Sequence, residues 1–358
     1  MPRYVFSVAL FVSMLTASFC PSMAEDQIRL AVPLIGGISP INESISTIFR
    51  LQFWGNLTKA GSNSKGAVVW GKNPLVSIDF KAAEDLAKRR NVLAQLVIFG
   101  EAYPFDRGAI VHTYLALPYY DDGRKNYNEI WTIEVPIQKQ PSVFFSADLP
   151  QRRYSFPPIA VPQRTLDKYK SGNGIILYRD KALSEPIGTL GIDNNLLEVS
   201  GDAVKVQSGK SVGWVSFNDL KFPNGMLDFV SGVFRLYRGD WESVESYMSK
   251  VAGNMWSSTA IKVDANLLRA FASERRNVSG REAVRSAKRL SQFSKRVVIY
   301  ETMMEVAELS RRIKAGLSNQ EKSEIIGIIR KNLEDNVFLF DDNDVWLNNT
   351  RAKLLLIN

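Results

Sequence analysis

The chain has 358 residues, with 45 Lys and Arg against 37 Asp and Glu, for a net charge of +8. Hydrophobic residues make up 45% and charged residues 23%, an ordinary globular balance that excludes collagen-like, low-complexity and wholly disordered chains. The one long apolar run sits at the start, which excludes a polytopic membrane protein.

The first residues read as a secretory leader spanning 1–24. Arg3 supplies the positive charge, Val5 to Cys20 is an apolar run, and Ser22-Met23-Ala24 presents the small residues a signal peptidase reads. At about 16 residues the run falls short of the roughly 20 needed to span a bilayer. Phe19 before Cys20 disfavours lipidation there. Cleavage after Ala24 leaves no Cys, so stability rests on core burial, and a thiol-free exported chain suits a Gram-negative periplasm, with secretion as the alternative. Losing Arg3 lowers the net charge to +7, which favours anionic envelope surfaces, and export makes nucleic acid an unsuitable partner.

Residues 25–138 alternate strand and helix signals. Ile28 to Val32 is β-rich. Ile41, Ile45, Ile48, Phe49, Phe53 and Leu57 recur at helical spacing. Ala67 to Trp70 reads as a buried strand. Asp79 is placed to cap a helix from Phe80 to Arg90, and Ala94 to Gly100 follows as an apolar strand. The chain turns at Phe105 to Gly108 and returns as Ala109 to Leu117. In the strand Ile130 to Ile137, Trp131, Ile133, Val135 and Ile137 share one face. The order β-α-β-α-β-β-β predicts a mixed sheet with helices on one face. The helix Phe80 to Arg90, the strand Ala94 to Gly100 and the following strand pair resemble the exported α/β domain of TolB-type, FlgO-like and CsgG-like envelope proteins.

Residues 139–170 read as a Pro-rich connector. Pro136, Pro141, Pro150, Pro157, Pro158 and Pro162 deny ladder donors, while Phe144, Phe145, Tyr154 and Phe156 predict packing against neighbours.

Residues 171–223 carry short strands at close spacing with Gly turns, the pattern of a small β-barrel. Leu177-Tyr178-Arg179-Asp180, Gly201-Asp202-Ala203-Val204-Lys205-Val206 and Gly213-Trp214-Val215 resemble the bacterial SH3 domain. The resemblance implies an SH3-like barrel whose groove is lined by Tyr178, Asp180, Asp202 and Trp214. Ala203 departs from the aromatic many members carry there, which removes one stacking surface. The alternative role for Trp214 is to fill the barrel core.

Residues 224–358 read as an α-helical bundle or solenoid. Met226 to Tyr237 and Asp240 to Val251 are amphipathic runs divided by Arg238-Gly239, and helices are predicted at 261–275, 280–296, 297–315 and 318–334. Gly232, Gly239, Val244, Met248 and Val251 fall at tetratricopeptide-like spacings, a weak resemblance that Arg235 interrupts where an aromatic is wanted. On the predicted helix 280–296, Arg281, Arg285, Lys288, Arg289, Gln292 and Arg296 recur at three- and four-residue steps. They read either as a basic docking stripe or as an ordinary solvated face.

The chemistry is defined by what the composition withholds. His112, the single His, lies in a strand and reads as structural or surface. Thiol and Cys-rich metal chemistry is excluded after leader removal, and no Gly-x-Ser-x-Gly elbow or phosphate-binding Gly loop is present. Glu129 and Glu134 are the carboxylates to weigh for glycan hydrolysis, but five residues apart along a strand they face opposite ways. Asp341-Asp342-Asn343-Asp344 lacks the ligand alternation of a calcium loop and reads as a solvated acidic turn.

The expectation is therefore an α+β multidomain envelope protein without a catalytic site, cofactor, metal or mature transmembrane helix. It would bind a protein partner, peptidoglycan or an anionic envelope surface through the SH3-like module. The rivals are a carboxylate-dependent cell-wall glycan hydrolase and an accessory factor of an envelope or secretion complex.

Overall fold

A computed structural model describes residues 28–39, 41–58, 66–118, 129–137, 140–169, 176–189, 194–200, 203–216 and 223–357. The leader and Asp202 lie outside the described residues.

The first layer is a six-stranded mixed sheet. Strand β1 (Ile28–Leu34) lies between β3 (Gly66–Pro74) and β4 (Leu96–Phe105), parallel to both. The short β2 (Gly36–Gly37) extends β1 alongside Glu101 and Ala102. Beyond β4, β5 (Gly108–Ala116) and β8 (Arg153–Pro162) add antiparallel. Helix α1 (Ile41–Thr58) joins β1 to β3, and α2 (Phe80–Lys88) joins β3 to β4.

The two crossovers run in opposite directions along the sheet. Right-handed connections then place their helices on opposite faces. Ile28, Leu30 and Val32 pack with Ile45, Phe49 and Phe53 of α1, while Ala31 packs with Ala83 and Ala87 of α2. This corrects the expected one-sided sheet. Pattern alone identified both helices, but only strand order decides their faces. Asp79 caps α2 as predicted, accepting from the Ala82 amide at 2.8 Å.

The expected connector is largely strand. β6 (Glu129–Ile137) and β7 (Gln140–Asp148) form a separate hairpin, and β8 is the last strand of the main sheet. The prolines misled for a physical reason. Pro157 and Pro158 fall at a register shift of an edge strand, where no ladder donor is required. Pro136 falls at another shift in β6. A short helix, α3 (Gln163–Tyr169), follows β8.

β9 (Ile176–Tyr178), β10 (Pro186–Thr189), β11 (Asn194–Ser200), β12 (Ala203–Ser208) and β13 (Ser211–Ser216) form a five-stranded antiparallel sheet in the order β10-β9-β13-β12-β11. Leu177, Val206 and Val215 on one face join the core that contains α1.

The rest is helical: α4 (Met226–Arg238), α5 (Trp241–Gly253), α6 (Thr259–Arg275), α7 (Arg281–Leu290), α8 (Lys295–Lys314), α9 (Asn319–Asp335), a 3-10 turn at Val337–Leu339, and α10 (Val345–Leu356). Gly239, at φ +73°, ends α4 in the left-handed conformation that favours Gly. Met248 on α5 reaches into the space that Gly232 leaves on α4.

The helices share one core with the sheets. Phe229 of α4 meets Tyr154 and Phe156 of β8 with ring centroids 4.6 and 6.0 Å apart. Trp131 of β6 lies 5.5 Å from Phe271 of α6 and 5.7 Å from Tyr300 of α8. Tyr300, Ser310 and Trp346 also donate to the carbonyls of Asp148, Glu134 and Ser146, which satisfies exposed hairpin backbone. No described helix is long and apolar enough to cross a membrane.

Candidate functional site

In the five-stranded sheet the register opposes Pro186 to Tyr178, Tyr178 to Trp214, Trp214 to Lys205, and Lys205 to Glu198. Directly opposed residues share a face, so these side chains form one row across all five strands. The other face holds Leu177, Val206 and Val215 in the core. Lys205 places its ammonium 5.8 Å from the Trp214 ring centroid, within cation–π range. Trp214 is 8% exposed, whereas Glu198 is exposed and Tyr178 and Lys205 are half-buried. The row thus presents an aromatic, a cation and an anion side by side.

Tyr178 and Trp214, expected as a groove pair, are brought together. Asp180 has a different task. It accepts from Ser184 Oγ at 2.7 Å and from the amides of Ser184 and Glu185 at 3.2 and 3.1 Å. These bonds close the loop between β9 and β10, and the Ser184 hydroxyl leads in holding the carboxyl below its ordinary range. Lys205 and Glu198 were missed because their place in the row depends on register, which spacing alone does not give.

The basic stripe breaks into ion pairs. Helix α7 ends at Leu290, so Arg296 belongs to α8. Arg281 meets Glu305 at 3.1 Å and Lys288 meets Glu301 at 2.9 Å, both across to α8. Arg289 meets Glu282 at 2.5 Å, and Arg285 reaches the same carboxylate at 3.7 Å. The sequence shows the cations at helical spacing, but the anions of Arg281 and Lys288 come from α8, turned antiparallel alongside, while Arg285 and Arg289 share Glu282 of their own helix.

Arg296 points inward. Its Nη1 lies 2.6 Å from Asp264 Oδ2 and 2.7 Å from Gln151 Oε1, and Asp264 lies within electrostatic reach of the buried Tyr154 and Tyr300. Burial pushes the Asp264 carboxyl up to about 7, against the pull of Arg296. A second inward cation, Arg235 of α4, donates to the Leu57 carbonyl at 3.1 Å, in the last turn of α1. Both tie the helices to the α/β layer.

His112 lies opposite Glu101, and the Tyr103 ring meets its edge at 5.8 Å. The Tyr103 hydroxyl donates to Glu101, and that bond raises the phenol's pKa. Glu134 is exposed on β6. In the acidic turn, Asp344 caps α10 through the Leu347 amide at 2.9 Å and pairs with Lys295. Among the described residues, no group of three or more His, Cys, Asp or Glu is placed to hold a metal ion.

No protein family, curated protein or solved structure matches the chain.

Proposed function

We propose that the chain is a non-enzymatic, exported envelope protein that binds peptide-bearing partners, either proteins or cell-wall polymer, through an SH3-like module. The row Tyr178–Trp214–Lys205–Glu198 carries this reading. It lies on the face opposite the core residues Leu177, Val206 and Val215. An aromatic beside one charge of each sign matches a short peptide, whose backbone can lie on the ring while its charged groups pair with Lys205 and Glu198. The leader residues 1–24 support export, and the pairing of Arg281, Lys288 and Arg289 turns attention away from the helical stripe.

Retention on purified sacculi, together with photo-crosslinking in intact cells from position 212, an exposed site two residues from Trp214 on the same face of β13, tests the reading. Wild-type protein should be retained or crosslinked, and Tyr178→Ala with Lys205→Glu should lose that product while keeping its thermal transition. Retention no better than a basic control protein, with no crosslink dependent on Tyr178, would refute it. A cleared band in a peptidoglycan zymogram would replace it with the carboxylate hydrolase.

A further inference from the structure

Neighbouring helices in the array run antiparallel, so alternate loops gather at one end. Lys288 beside Glu301 and Arg281 beside Glu305 fix α7 against α8, and Asn332 beside Glu301 fixes α9 against α8. Arg276 beside Glu245 places the start of α5 with the end of α6. The α5–α6, α7–α8 and α9–α10 loops therefore share one end of the molecule.

Each loop exposes large apolar side chains there. Met255 and Trp256 are 78% and 63% exposed, Phe293 is 67% exposed, and Phe338 is 64% exposed. Phe293 and Phe338 touch across two loops, with centroids 6.0 Å apart. The main chain at Trp256 is held: its amide donates to Asn254 Oδ1 at 2.8 Å, and Asn254 donates to the Pro223 carbonyl at 2.9 Å. A loop with a fixed backbone loses less freedom on docking than a loose one.

Charge divides this end into two poles. Residues 250–262 carry Lys250 and Lys262 and no acid. Residues 334–344 carry Glu334, Asp335, Asp341, Asp342 and Asp344 and no base. Asp344 is taken by Lys295, whereas Glu334, Asp335, Asp341 and Asp342 are exposed. The surface runs from a basic pole at Trp256, through Phe293 and Phe338, to an acidic pole at 334–342.

A patch with a basic pole, an apolar middle and an acidic pole complements itself under two-fold rotation. We infer that this end docks a second copy of the chain, each basic pole meeting the partner's acidic pole around the Phe293–Phe338 pair. An anionic membrane would be repelled by the four exposed carboxylates.

Sedimentation velocity over about 1–100 µM, a range that captures moderate association, tests this. Wild-type protein should form a dimer that weakens as salt screens the poles. Phe338→Asp should weaken it about tenfold or more, the effect of losing roughly 1.4 kcal/mol. Lys250→Glu with Lys262→Glu, at one exposed and one half-buried position, and the exposed Glu334→Lys, Asp335→Lys, Asp341→Lys and Asp342→Lys together, should each abolish the homodimer while each variant keeps a cooperative thermal transition. Mixing these two variants should restore association, because both contacts then pair opposite charges. A monomer throughout the range, a dimer indifferent to charge reversal, failure of the mixture, an open series of larger species, or sedimentation with phosphatidylglycerol vesicles in place of dimer would each overturn the inference.

Discussion

Asp264 on α6 and Arg296 on α8 meet at 2.6 Å, with the carboxylate side chain 1% exposed and the guanidinium 29% exposed. The same guanidinium reaches Gln151, just before β8. One ion pair thus joins two helices to the main sheet, in a setting where removing either partner strands a charge.

Burial raises the Asp264 carboxyl from 3.8 to about 7, so the folded state binds its proton more tightly than the unfolded state does. That contribution is complete below about pH 4 and is lost as pH rises through about 7. At about 1.4 kcal/mol per pH unit, stability should fall by a few kcal/mol between about pH 5 and pH 8. Urea midpoints at the two pH values check this, and Asp264→Asn should flatten the difference. An unchanged slope in that variant would refute the assignment.

Arg235 is 2% exposed on α4, and its guanidinium satisfies the Leu57 carbonyl. Arg235→Ala should destabilise the protein by about 3 kcal/mol, since it leaves a buried acceptor unpaired and opens a void. Denaturant unfolding measures the loss. A change under about 0.5 kcal/mol, ordinary for an exposed surface site, would mean that the contact fastens nothing.

Gly280 precedes α7, where a Cβ would lie 2.7 Å from the Ala270 Cα on α6. Gly280→Ala should therefore push the helices apart and cost about 1–3 kcal/mol. Its φ of −83° suits any residue, so the effect would report close approach alone. A thermal midpoint equal to wild type would show that the helices separate freely.

The α7 cations differ in what they hold. Arg281→Glu with Lys288→Glu places new anions against Glu305 and Glu301, and should lower stability by about 1–2 kcal/mol. Arg285, 71% exposed and 3.7 Å from Glu282, should tolerate the same change within about 0.5 kcal/mol. Thermal midpoints separate the two, and equal effects would argue against pairing across to α8.

Much of the local structure was legible in the chain. The buried face of α1 includes Ile45, Ile48, Phe49, Phe53 and Leu57, as the helical spacing indicated, and burial extends beyond it to Ser44, Leu51 and Gln52. Trp131, Ile133 and Val135 of β6 are buried while Thr132 and Glu134 are exposed, as alternation requires. Of the expected groove, Tyr178 and Trp214 meet across β9 and β13, Asp180 closes a loop, and Asp202 lies outside the described residues.

Sequence by itself determined the helical and strand periodicity, the Asp79 cap and the turn at Gly239, because each depends on neighbours a few residues away. Tertiary structure alone decided that α1 and α2 flank the sheet, that Pro157 and Pro158 sit in an edge-strand shift, and that Lys205 and Glu198 complete the row. It also matched Arg281 and Lys288 to anions on another helix and turned Arg296 inward to Asp264. Strand order, register and ion pairing join residues far apart in the chain, and local propensity carries no information about which distant partner wins.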